Sequence, residues 1–249
     1  MSQLTSGITC LMLSVMQYGQ NLLRIQDMES IVYHLEEDNM KIIDTYRDLP
    51  IGMYLEICEI SRREDIEELN KQVSILAILT GRSEDEIYDL SITDYKDLVV
   101  KSRFLGNTYD GEVLIPKTYL LEGWELKPLK DYRQITTAQY IDFQTFAKDV
   151  EKNIVEILSV MLVPKGKKYN QDYDVIELQQ VLRRTLSVAD AFTLIAFFFV
   201  QYKQSIKDSL ICSMKAAMRL RDPEKRKRML KEIQIQEENL KQLGDGLQM

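Results

Sequence analysis

Residues 188–220 read VADAFTLIAFFFVQYKQSIKDSLICSMKAAMRL, and their spacing decides the class of fold. Val188, Phe192, Ile195, Phe199, Tyr202, Ile206 and Leu210 recur at intervals of three and four, the repeat that lines one face of an α-helix. Ser187 precedes them as an N-cap, whose hydroxyl accepts from a free backbone N–H of the first turn. Run to Leu220, such a helix is about 50 Å long at 1.5 Å per residue. Phe197-Phe198-Phe199 makes its first half apolar on most sides, which predicts burial at the centre of the protein. Beyond it, Asp222-Pro223 restarts a helix with a cap and a first-turn proline. The apolar face of this last helix is thin, with Leu230, Ile233 and Leu240 interrupted by Glu237. A helix that thin is marginal alone, so it is expected to pack on a partner or fray.

Working towards the N-terminus, a helix is expected to begin near Val175, after a Gly/Lys/Asn/Asp-rich loop from Pro164 to Asp172. Another starts at Thr136 or Thr137 and carries Tyr140, Phe143, Phe146, Val150, Ile154, Ile157 and Val160 or Met161 on one row. Pro164-Lys165-Gly166 is expected to stop it. Residues 107–135 change character: Gly106-Asn107, Asp110-Gly111 and Glu122-Gly123 punctuate short Val/Ile/Tyr/Leu runs. These predict two or three short antiparallel strands, with Gly123 in a tight turn. Upstream, Leu49-Pro50 opens a helix over IGMYLEICEI with Pro50 in its first turn. Ile66, Leu69, Val73 and Leu76 form a further stripe that ends at Gly81. Ser83 with Glu86 is a capping box, and Thr93 or Asp94 caps a helix running to about Phe104. Ile8 to Met16 and Met28 to Tyr33 read as either strand or helix.

The fold expected is therefore mainly α: a helical core with a small antiparallel β-hairpin insertion and extended terminal arms. Its parts are an N-terminal arm (1–46), a helical core (47–220, with β structure at about 107–135) and a basic C-terminal helix or tail (221–249). Composition agrees. Gly (10) and Pro (5) are scarce in 249 residues, 45% of which are hydrophobic and 29% charged. That argues against a sandwich, a collagen-like chain or a disordered chain. Ile8 to Met16 and Ala191 to Val200 are apolar but shorter than the roughly 20 residues a spanning helix needs, so no membrane span is expected. Met1-Ser2-Gln3-Leu4 lacks the basic start of a secretory signal.

Chemistry-bearing motifs are sparse. The single histidine, His34, sits beside Glu36, Glu37 and Asp38, and one imidazole supports neither a His-based triad nor a multi-His metal site. Cys10, Cys58 and Cys212 lie far apart, outside any CxxC or Cys/His grouping, and read as reduced apolar side chains. Pro164 to Lys168 lacks the GxxxxGK[ST] frame of a phosphate cradle and reads as a solvated loop. The expectation is a non-enzymatic protein without catalytic residues, cofactor or metal. Charge is the sharper feature. Residues 1–100 carry 19 acidic and 8 basic side chains, a net of −11 in a chain of net −7. Lys215, Arg219, Arg221, Lys225, Arg226, Lys227, Arg228 and Lys231 then reverse the sign against only Asp222 and Glu224. This run suits an acidic protein partner, or nucleic-acid phosphates; the absence of interleaved aromatic residues favours the protein.

Five stretches stand out together: Leu49-Pro50-Ile51-Gly52-Met53-Tyr54-Leu55-Glu56-Ile57, Ile75 to Gly81 with Ser83-Glu84-Asp85-Glu86-Ile87, Tyr95-Lys96-Asp97-Leu98, Thr137 to Phe143, and Leu162-Val163-Pro164-Lys165-Gly166. In them the chain resembles small helical proteins from the structural modules of tailed bacteriophages of Bacteroides-type hosts, crAss-like phages among them. The similarity covers about residues 46–205 and is similar in part to tail assembly chaperones. It implies synthesis in the host cytoplasm, a place in the virion or its assembly, and contacts with other phage structural proteins and with copies of the same chain. It transfers no catalytic residue. The alternatives it leaves are a chaperone absent from the finished particle and a nucleic-acid-associated packaging protein.

Overall fold

The starts of two helices are laced together by main-chain hydrogen bonds. Ile51 N–H donates to the Leu186 carbonyl, Val188 N–H to Leu49 and Ala189 N–H to Tyr46, at 2.8, 2.8 and 3.0 Å, with Pro50 and Ser187 bridging antiparallel. A computed structural model describes residues 41–107, 109, 115–129, 131–220 and 222–245, with Arg133 and 236–245 by backbone alone. The N-terminal arm to residue 40, including Cys10 and His34, lies outside the described residues. The chain is mainly helical, with one three-stranded antiparallel sheet among the described residues. Two compact units form. Among the described residues, one draws on 41–112 and 180–191, the other on 115–179 and 192–245.

The first unit holds α1 (Ile51–Arg62), α2 (Glu68–Thr80), α3 (Glu84–Tyr88), α4 (Ile92–Lys101) and a 3-10 turn (Ser102–Gly106). Pro50 is the N-cap of α1 rather than its first residue, and no side chain caps the helix. The Leu186 carbonyl takes Ile51 N–H instead, so a neighbouring backbone supplies what a capping side chain would. Helix α2 packs on both α1 and α3, which explains why its buried set is Gln72, Val73, Ile75, Leu76, Ala77 and Leu79. The expected row is only half right: Ile66 precedes the helix, and Leu69 is 57% exposed. Val73, Leu76, Ala77, Ile87 and Leu98 make one core cluster. Gly81 ends α2 in the left-handed conformation (φ 68°), as its position required. The Ser83–Glu86 capping box forms as read, and its backbone bond from Ser83 holds the Glu86 carboxyl below the usual range. Ser91, not Thr93 or Asp94, caps α4: its hydroxyl accepts from Asp94 N–H at 3.1 Å, placing both expected caps inside the first turn.

The second unit is built around the sheet and the buried helix Ile154–Met161. Strands β1 (Tyr119–Leu121) and β2 (Trp124–Pro128) pair through a two-residue turn in which Glu122 (φ 42°) and Gly123 (φ 84°) both have positive φ. That is the mirror-image turn whose twist matches a hairpin. The third strand, β3 (Leu162–Pro164), pairs with β2 from outside the 107–135 segment. It immediately follows the helix and so reads in sequence as the helix's end.

The long row from Tyr140 to Met161 is broken into α5 (Thr137–Phe146) and α6 (Ile154–Met161). Asn153 explains the break: its side-chain amide donates to the carbonyls of Phe146 and Asp149 at 3.1 and 2.9 Å, satisfying groups the helix would otherwise use. Phe143 is fully buried, with Tyr132, Phe199 and Tyr202 rings 5.6, 6.0 and 5.3 Å away. Thr136 and Gln139 form a second capping box, and Gln139 also donates to the Val160 carbonyl at 2.9 Å. Replacing Thr136 by Ala is expected to cost about 1 kcal/mol. At this chain length, a drop of roughly 2–4 °C in the circular-dichroism melt checks it.

Helix α7 (Val175–Thr185) and the 32-residue α8 (Val188–Arg219) give residues to each unit. Ser187 caps α8 at 3.0 Å from Asp190 N–H. Of the expected row, Val188, Ile195, Phe199, Tyr202 and Leu210 are buried and Phe192 and Ile206 partly so. Phe198 is buried too, but Val200 is 60% exposed, so the first half of α8 is not covered all round. Helix α9 (Pro223–Asp245) does not lack a partner: Met229, Leu230 and Ile233 pack against Ile206, Leu210 and Ala217 of α8. No described helix is long and apolar enough to cross a membrane.

Candidate interaction surface

The tip of the α8–α9 hairpin is closed by polar groups that the sequence supplies in order. Leu220 N–H returns to the Ala217 carbonyl at 3.1 Å. Asp222 Oδ1 accepts from Glu224 and Lys225 N–H at 3.0 and 3.3 Å, capping α9. Arg226 lays its guanidinium on the Leu220 carbonyl, with Nε at 3.2 Å. A cation there satisfies an orphan carbonyl at the negative end of α8. Arg226 is thus occupied in holding the turn and is half-buried.

The other cations behave differently. Lys215, Arg219, Lys225, Lys227, Arg228 and Lys231 are all exposed, while Arg221 lies outside the described residues. None of these six forms an ion pair among the described residues. On the stretch of α8 that carries Lys215 and Arg219 runs an apolar row that sequence reasoning missed: Ile211, Met214 and Met218 are 51%, 37% and 64% exposed. The second half of α8 therefore has two apolar faces. Ile206, Leu210 and Ala217 lie under α9; Ile211, Met214 and Met218, at i, i+3 and i+7, stay open. The signal was present in the spacing, since the two rows are offset by about 100° on a helical projection.

Two other features bear on chemistry. The loop Pro164 to Lys168 uses its amides internally: Lys165 N–H donates to the Glu125 carbonyl, Lys167 N–H to Pro164 and Lys168 N–H to Asp172, at 2.8, 3.0 and 2.8 Å. No fan of amides remains there for a phosphate. A groove of about 560 Å³ adjoins this loop, between Trp124 and Tyr173, whose rings lie 6.0 Å apart. Its charges are largely engaged, with Lys165 bonded to Glu125 at 2.6 Å and Asp174 capping Ile176 at 2.8 Å. Burial pushes the Tyr173 hydroxyl up to about 12.

Of the cysteines, Cys58 is buried and Cys212 exposed. Burial raises the Cys58 thiol from 9.0 to about 11, partly offset by a bond from Tyr54 and by the Arg62 charge. Its neutral form is favoured in the fold, so its stabilising contribution is complete below pH 9.0 and declines as pH climbs towards 11. In a Cys10→Ser chain at pH 8, a thiol reagent is expected to modify Cys212 within minutes and Cys58 only after denaturation. Two equally fast equivalents would show that the α1 face is open.

No family model, curated protein or solved structure matches this chain.

Proposed function

We propose that this chain is a non-enzymatic structural or internally packaged protein of a tailed-phage virion, present in several copies and acting through protein–protein contacts. The open row Ile211–Met214–Met218, on a hairpin whose exposed cations have no ion-pair partner among the described residues, is the observation that carries the contact reading. Apolar side chains kept outside on a helix that already has a covered face are the anchors of a helix-docking interface. The sequence resemblance over about residues 46–205 supports the placement in a phage particle. Mass spectrometry of purified particles tests it. Recovery of the chain in stoichiometric amount is the expected result, and absence from particles made in infected cells that contain the chain would favour a tail assembly chaperone instead.

A packaging role on nucleic acid is the second reading, favoured by the six exposed cations alone. Phosphate tracking makes affinity fall linearly with the logarithm of salt. A DNA-binding titration without that slope disposes of it.

A further inference from the structure

We propose that the outer face of the α8–α9 hairpin docks on the acidic α3–α4 face of a second copy of this chain. The inference rests on the protein-contact reading above and names the partner. The complementary face is as clear as the basic one. Between residues 84 and 97, Glu84, Asp85, Glu86, Asp89, Asp94 and Asp97 are exposed carboxylates, against the single cation Lys96. Like the hairpin cations, these six make no ion pair among the described residues. Exposed apolar groups sit among them: Tyr88 at 53% and Ile92 at 68%, with Leu69 at 57% on the adjoining helix α2. Tyr88 is held in place by donating to Asn70 Oδ1 at 2.9 Å. The face is firm, since α3 carries a reciprocal capping box and Ile87 and Leu98 anchor α3 and α4 in the core cluster.

Each face thus offers three exposed apolar side chains among charges mostly of one sign, with Lys96 the exception on one and Asp222, Glu224 and Glu232 on the other, and the prevailing signs are opposite. Opposed fields steer two such surfaces together and disfavour like-with-like pairing. The apolar members distinguish this from phosphate binding, which gains nothing from Ile211 or Met218. Used reciprocally, the contact makes a two-fold dimer; used in sequence, it makes a ring or a filament.

The test is a charge swap on the full-length chain, read by native mass measurement and light scattering at low salt. Lys225→Glu/Arg228→Glu/Lys231→Glu reverses the hairpin without touching Arg226 or Asp222. Asp85→Lys/Asp89→Lys/Asp97→Lys reverses the other face without touching Glu86 and Asp94, which bond the capping serines Ser83 and Ser91. The parent chain is expected to self-associate, at least tenfold more weakly at 0.5 M than at 0.05 M salt as the Debye length contracts from about 14 Å to about 4 Å. Each variant alone is expected to be monomeric, and an equimolar mixture of the two to associate again, because the reversed hairpin now meets the reversed face. Recovery on mixing also shows that both variants fold. A parent chain that stays monomeric to about 100 μM overturns the proposal. So does an oligomer that both variants retain, and so does a monomer that binds duplex DNA through the hairpin. A monomer nevertheless found in particles would sink this inference alone, whereas an oligomer absent from particles would sink the virion reading alone.

Discussion

Phe199→Asp is expected to abolish soluble expression. Phe199 is 4% exposed and its ring lies 6.0 Å from that of Phe143, which is itself fully buried beside Tyr132 and Tyr202. Removing the phenyl group costs about 3–5 kcal/mol through lost burial and the cavity left behind. The carboxylate then has to enter the same site without a cation, or be protonated to do so, which adds several kcal/mol. A domain's whole stability is about 5–15 kcal/mol, so the two losses together remove most of it. Phe199→Leu keeps the apolar character and is expected to cost about 1–2 kcal/mol, leaving a folded chain. Soluble yield and the circular-dichroism melt of the pair give the comparison. An Asp variant that melts like its parent would mean that the α8 row faces solvent.

Gly52→Ala is expected to lower the melting temperature, against the usual sign for glycine in a helix. In an open helix Ala replaces Gly with a gain of about 1 kcal/mol. At Gly52 an added Cβ would lie 2.6 Å from the Arg183 carbonyl oxygen and 3.2 Å from the Arg183 carbonyl carbon and Cβ. The obstacle is mostly backbone and cannot swing aside. Helix α1 would have to retreat, straining the bond from Ile51 N–H to Leu186. Overpacking of this kind costs about 1–3 kcal/mol, and a bulkier Gly52→Val more. The melt should fall by about 2–12 °C for Ala. An unchanged or raised melting point would show that the close approach is not there.

Much of this architecture was legible because local chemistry fixed it. Gly81, Ser83 with Glu86, Ser187, Asp222 and the Glu122-Gly123 turn all act within a few residues of themselves, and each does what its position required. What escaped the reading depends on neighbours distant in the chain. Leu69 belongs to an apolar row yet faces water, because burial on α2 follows its contacts with α1 and α3 rather than its own spacing. Leu162 to Pro164 become a strand only because β2 offers an edge, and Asn153 breaks a helical row by bonding two carbonyls. At the candidate surface the cations were plain in the sequence. Ile211, Met214 and Met218 were hidden among other apolar residues, since only the seating of α9 decides which of two rows is covered.

The antiparallel lacing of residues 46–51 with 186–189 has a consequence for synthesis on the ribosome. Helix α1 emerges with its first amide lacking an acceptor and its Gly52 side open, and the strip that completes both is translated more than a hundred codons later. Until that strip leaves the exit tunnel, the backbone groups of Tyr46, Leu49 and Ile51 lack these partners on the nascent chain, and the incomplete unit is open to chaperones and proteases. Pausing of translation before residue 189 has cleared the tunnel should therefore lengthen the protease-sensitive window, whereas a pause once it has cleared should leave that window unchanged.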